Sequence, residues 1–126
     1  MNEMEVLSSY IGRQYSFRRF NCWDCAVEIR KEFDIKTKLF KPATLKESFK
    51  VITAQMQKLE SGLTLVSSPD NFDIIIVSRI IGKNKVYHCG IYHDKNVIHC
   101  CPDFGSVRYE SIDDFRAKYK EVTLWR

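Results

Sequence analysis

The chain has 126 residues, enough for one compact domain and too few for two ordinary ones. Hydrophobic residues make up 44% of it, the usual share for a protein with a single buried core, and the formal charge is only +4. Lysines and arginines are scattered in ones and twos, so they read as a solvated surface, and no nucleic-acid partner is expected.

The opening stretch Asn2 to Ile11 has Val6, Leu7, Tyr10 and Ile11 on one side and Gly12 as a stop, which predicts a short helix. Glu3 and Glu5 break up any apolar leader, so no signal peptide is expected and the chain reads as made in the cytoplasm. An irregular, aromatic and basic segment follows, Gln14 to Phe20. Asn21 is a good N-cap for a helix beginning at Cys22, with Cys22, Cys25, Ala26, Ile29 and Phe33 as its inward stripe. Thr44 and Glu47 have the form of a capping box, and Leu45, Phe49, Ile52, Met56 and Leu59 continue it at helical spacing to Gly62.

After Ser68 the pattern turns β-branched. Strands are expected at Phe72 to Ser78, Val86 to Tyr92, Val97 to Cys101 and Val107 to Glu110, with turns at Gly82–Lys85 and His93–Asn96. Ser111 to Asp114 resembles another capping box, and Val122 to Trp125 reads as a last strand. Ile74 to Val77, the longest apolar run, is far too short to cross a bilayer, so no membrane span is expected. Helices first and an antiparallel meander second describe a single α+β domain, residues 1–126, with N-terminal helices packed on a small sheet.

Five cysteines, at 22, 25, 89, 100 and 101, are odd in number and partly adjacent, which suits a disulfide framework badly. They read instead as small core residues, metal ligands or nucleophiles. Cys22 stands directly after an N-cap, where the helix N-terminus favours a thiolate. A loop of two or four residues between the second and third strands turns His88 and His99 to one sheet face. A nucleophilic cysteine needs a base, and the base needs an orienting partner. Packed on a helix that begins with Cys22, the two histidines can supply both roles. His93, in the turn, reads as surface.

The stretch Tyr15-Ser16-Phe17-Arg18-Arg19-Phe20-Asn21-Cys22-Trp23-Asp24-Cys25 resembles the nucleophile motif of the NlpC family of papain-like cysteine peptidases. The segments His88-Cys89-Gly90-Ile91-Tyr92 and Val97-Ile98-His99-Cys100 resemble its histidine hairpin, and Pro69 to Ile75 its strand entry. The resemblance spans essentially the whole chain in the family's order. It implies a papain-like fold and hydrolysis of peptide bonds in peptidoglycan stem peptides, with no metal and no cofactor. By matching positions, Cys22 would be nucleophile, His88 general base and His99 the orienter of His88. Tyr15 would hold the substrate or the oxyanion. The chain departs from the pattern at Asn21, usually Asp; at Arg18-Arg19, usually a glycine pair; and at Trp23-Asp24, usually Ser-Gly. Asn21, Trp23 and Arg18 thus become candidate substrate contacts. The Cys-Trp pairing in so small a domain resembles the bacteriophage tail-associated branch, which implies phage tail partners and a virion-associated enzyme.

Three other readings use the same residues. Cys22 and Cys25 with His88, Cys89, His99, Cys100 and Cys101 offer ligands for zinc, although Cys89 and Cys100 should face away from the histidines. Cys22-Trp23-Asp24-Cys25 has redox spacing but lacks a strand leading into the helix. The same fold can also serve as a catalytically idle tail or assembly module, or pass its acyl group to an amine rather than water.

Overall fold

The computed structural model describes residues 2–37 and 63–126. Two helices come first, α1 (Glu3–Tyr10) and α2 (Cys22–Glu32), followed by strands β1 (Leu65–Val66), β2 (Ile74–Ile81), β3 (Asn84–His93), β4 (Asn96–Cys101) and β5 (Ser106–Ser111). Helix α3 (Ile112–Ala117) and strand β6 (Glu121–Trp125) close the chain. The helix expected after Thr44 lies outside the described residues. Among the described residues, six strands form one antiparallel sheet in the order β1-β6-β2-β3-β4-β5. The architecture is therefore α+β.

Local chemistry explains the helix starts. Asn2 caps α1 by accepting from the Glu5 N–H, and Ser111 caps α3 by accepting from Asp114. At α2 the cap is reciprocal: Asn21 Oδ1 accepts from the Asp24 N–H at 2.9 Å, and Asp24 Oδ2 accepts from the Asn21 N–H at 3.2 Å. Two of the N–H groups orphaned at the α2 start are satisfied in this way. Strand β1 had no counterpart in the sequence pattern, because two residues carry no alternation. It exists through pairing with β6, flanked by mutual hydrogen bonds between Thr64 and Arg126.

The sheet is covered on both faces, which is why β2 reads as an unbroken apolar run. Ile74, Ile76, Cys89, Ile91, Ile98, Cys100 and Val107 pack with Leu7 and Tyr10 of α1 and Cys25, Ala26 and Ile29 of α2. Ile75, Val77 and Val97 face the other way, onto Phe115 of α3. Ile29 and Phe115 are fully buried, and each such side chain contributes on the order of 1.5–3 kcal/mol. On the β5 edge, the Gly12 N–H and Arg13 carbonyl bond Val107 while the Tyr15 N–H reaches the Gly105 carbonyl, so the segment before α2 shields the exposed ladder.

The β3–β4 turn is tighter than expected. The strands extend to His93 and Asn96, leaving only Asp94 and Lys95, both at positive φ (44° and 66°), as in a two-residue hairpin. His93 is consequently the last residue of β3 and not a surface turn residue. It is 1% exposed, with Nε2 at 2.8 Å from Glu3 Oε1 and Nδ1 at 3.0 Å from the Tyr109 hydroxyl. The alternation that puts Ile91 on the α1–α2 face puts His93 there too, where the first turn of α1 meets it.

Candidate active site

Cys22 is the first residue of α2, presented by the Asn21 cap at the positive end of the helix. Its stripe partners Cys25, Ala26 and Ile29 anchor the helix on the Cys89 and Cys100 face of the sheet. The histidines lie on the opposite face: His88 pairs in register with Val77, and His99 shares the alternation of Val97. The helix therefore does not pack on the histidine face, as the sequence led one to expect. Its apolar stripe takes the more apolar face, and only its N-terminal cysteine meets His88.

The ladder between β3 and β4 makes that meeting feasible. It comprises three pairs, Ile91 with Ile98, Tyr92 with Val97 and His93 with Asn96. Beyond them β3 stays with β2 as far as Asn84, and β4 stays with β5 as far as Cys101. Gly90 sits where this ladder stops. A Cβ there would lie 2.6 Å from Val97 Cγ1 and 3.0 Å from His99 Cβ, so no larger residue fits without a shift.

His88 Nε2 lies 2.8 Å from His99 Nδ1, and His99 Nε2 lies 2.9 Å from Glu110 Oε1. Lys118 Nζ then donates to the same carboxylate at 2.6 Å. The rings are wedged in place: His99 meets Phe115 edge-on at 4.9 Å and Tyr119 stacks on His88 at 6.1 Å. Burial pushes the Glu110 carboxyl up, but the Lys118 and His99 contacts outweigh it and hold the group below its ordinary value. His99 is pushed down to about 3, by burial first and His88 second, against the pull of Glu110. A neutral His99 beside an ionised Glu110 carries its proton on Nε2. Its Nδ1 lone pair then accepts the Nε2–H of His88, which leaves His88 Nδ1 as the nitrogen open to Cys22.

Hydrogen bonding with the Cys89 thiol, and then with His88, holds the Cys22 thiol well below its ordinary value despite burial. The other shifted thiols move the opposite way. Cys25 is raised by burial, Cys89 by its bond to Cys22 and by burial, and Cys100 by burial to about 12. Cys100 also donates to the Phe20 carbonyl at 3.5 Å, as a protonated thiol would. The arrangement can deliver a thiolate, a base next to it and a carboxylate that orients the base.

The remaining candidates fall into two groups. Tyr15 is half-buried, and its phenol is pushed up to about 12 by burial and then by Cys22 and Cys100, so it remains a donor beside the thiol. Arg18 and Arg19 are exposed on the small loop closed by the Ser16–Phe20 bridge. Asn21 is 5% exposed, its Oδ1 committed to Asp24 and its Nδ2 donating to the Phe17 carbonyl at 3.0 Å. Trp23 is 3% exposed and belongs to the α1–α2 core. Glu110 and Lys118 were not singled out by sequence reasoning, and Cys89 was named only as a possible zinc ligand. Alternation alone would have put Glu110 on the histidine face, had the β4–β5 register been known; the tight Pro102–Gly105 connection sets that register.

No family model matches the chain, and no curated protein matches it.

Proposed function

We propose that the chain is a cysteine peptidase or amidase of the NlpC, papain-like type, acting on peptidoglycan stem peptides. The observation that carries this reading is the hydrogen-bonded line from His88 through His99 to Glu110, with the Cys22 thiol, held low by Cys89 and His88, at its head. A helix opened by a cysteine, set against an antiparallel sheet that bears the base, is also the arrangement a papain-like fold requires.

The Cys22 thiolate attacks the substrate carbonyl, and the backbone N–H at Cys22 with the Tyr15 hydroxyl would receive the developing oxyanion. His88 passes the thiol proton to the leaving amine, and the amine departs from the acyl-enzyme. Water then gives a proton to His88 and its hydroxide to the acyl carbon, which releases the acid and restores the thiol. Asn21, spent on capping, leaves the exposed Arg18 and Arg19 as the charged groups of the adjoining loop. They favour substrates with free carboxylates, a feature of stem peptides. The phage-tail setting rests on the Cys22-Trp23 resemblance.

The test is incubation with purified stem-peptide fragments and mass-spectrometric detection of new termini. Wild type is expected to cleave, and Cys22→Ala to be inactive yet folded. Full activity in Cys22→Ala would sink the mechanism.

A further inference from the structure

Cys101 plays no part in the line just described, yet it is buried to 3% exposure on the same sheet face as the histidines. One nitrogen of His88, one of His99 and the Cys101 sulfur lie within 4.8 Å of one another. The facing nitrogens are His88 Nε2 and His99 Nδ1, since Glu110 occupies the other side of His99. Cys89 and Cys100, on the opposite face, are no part of this cluster.

We propose that His88, His99 and Cys101 form a binding site for a thiophilic divalent cation, zinc above all. Zinc takes imidazole nitrogens at about 2.0–2.1 Å and thiolate sulfur at about 2.3 Å, so tetrahedral ligand atoms stand about 3.3–3.7 Å apart. The two histidine nitrogens, at 2.8 Å, are closer than this, and the whole cluster spans no more than 4.8 Å, so small side-chain rotations suffice to close it. Two imidazoles and a thiolate suit zinc and exclude magnesium or calcium, which want oxygen. Water fills the fourth position. Glu110, accepting from His99 Nε2, supplies the outer carboxylate that metal-bound histidines usually have, and Lys118 steadies it.

The proton balance is simple and involves no electron transfer. Cys101 gives its thiol proton to solvent. The Nε2 proton of a neutral His88 moves to Nδ1, freeing the Nε2 lone pair for the metal. His88 then has no lone pair toward Cys22 and cannot serve as its base. Metal binding and catalysis thus exclude one another, a consequence that rests on the peptidase reading; the metal site itself does not.

The full chain, stripped of metal, is titrated with Co²⁺ and then with Zn²⁺. The expected result is about one equivalent of tetrahedral cobalt with a thiolate-to-cobalt charge-transfer band, displaced by zinc. Cys101→Ser should abolish the band, Cys22→Ala should keep it, and Glu110→Gln should weaken binding roughly 10–100-fold. A band that survives Cys101→Ser, a band lost in Cys22→Ala, or no cobalt binding at all overturns the proposal. Peptide turnover is measured in parallel with chelator present. Cobalt binding without turnover would remove the peptidase reading and leave the metal site standing, whereas turnover without cobalt binding would do the reverse.

Discussion

Glu110 decides the direction of the proton line although it touches neither Cys22 nor His88. It is 2.9 Å from His99 Nε2, and as an anion it keeps the His99 proton on that nitrogen, so His99 can only accept from His88. Glu110→Gln can present an N–H there instead and favour the reversed tautomers. We expect kcat to fall by about 10-fold or more with KM little changed, because the side chain orients the base and does not meet substrate. Steady-state kinetics on stem peptides separates the two parameters. Lysine at 118 is the second hold on this carboxylate, and its loss should act in the same direction but more weakly. Asn21 acts on a shorter range. Removing its cap in Asn21→Ala should cost about 1–2 kcal/mol in denaturant unfolding and loosen the α2 start that presents Cys22. That cap was legible in the sequence because capping is decided between residues three positions apart. Glu110 was not, because its partner is eleven residues away across a register that no local rule sets.

The same contrast runs through helices and strands. The two helices that open the chain, the β2–β5 meander and the short helix after Ser111 follow from periodicity and capping, and their bounds shift by only a few residues. What periodicity could not convey is that β3 and β4 share a ladder of only three pairs, or that β3 and β4 close on a two-residue turn. Gly90 marks the ladder's end, with Val97 Cγ1 and His99 Cβ filling the place a Cβ there would take. Gly90→Ala should therefore destabilise the fold by about 1–3 kcal/mol and displace His99. Denaturant midpoints check the first effect, and the rate of Cys22 alkylation checks the second. An unchanged alkylation rate would show that His99 is insensitive to that contact. The α2 stripe was legible as a buried face. Which sheet face it would choose was not, since the preference depends on what the strands jointly display.

Taken together, the buried relay ties stability to pH. His99 has its folded pKa depressed to about 3 from an ordinary 6.5, by burial and His88, and Glu110 is depressed as well. In the window between those two His99 values the unfolded chain binds more protons than the native one. Stability is therefore greatest above pH 6.5 and declines as pH falls toward 3. Urea midpoints taken in chelator across that window should drop for wild type and drop less for His99→Gln; parallel slopes would remove the linkage. Thiol reactivity gives a companion measurement. Cys22, with its pKa lowered by Cys89 and His88, should alkylate rapidly at mildly acidic pH while Cys25, Cys89 and Cys100, all raised, stay unlabelled.

The amino-acid sequence by itself determined the α+β class, the cap that places Cys22 at a helix start, and the parity that turns His88 and His99 to one face. These depend on spacings of two to four residues, where backbone geometry leaves few choices. Tertiary structure alone decided the rest: that α2 lies across the opposite face, that Glu110 and Lys118 complete the line, that His93 is buried beneath α1, and that Cys101 joins the histidines. Each depends on register and packing between segments far apart in the chain, and those are settled by the core as a unit.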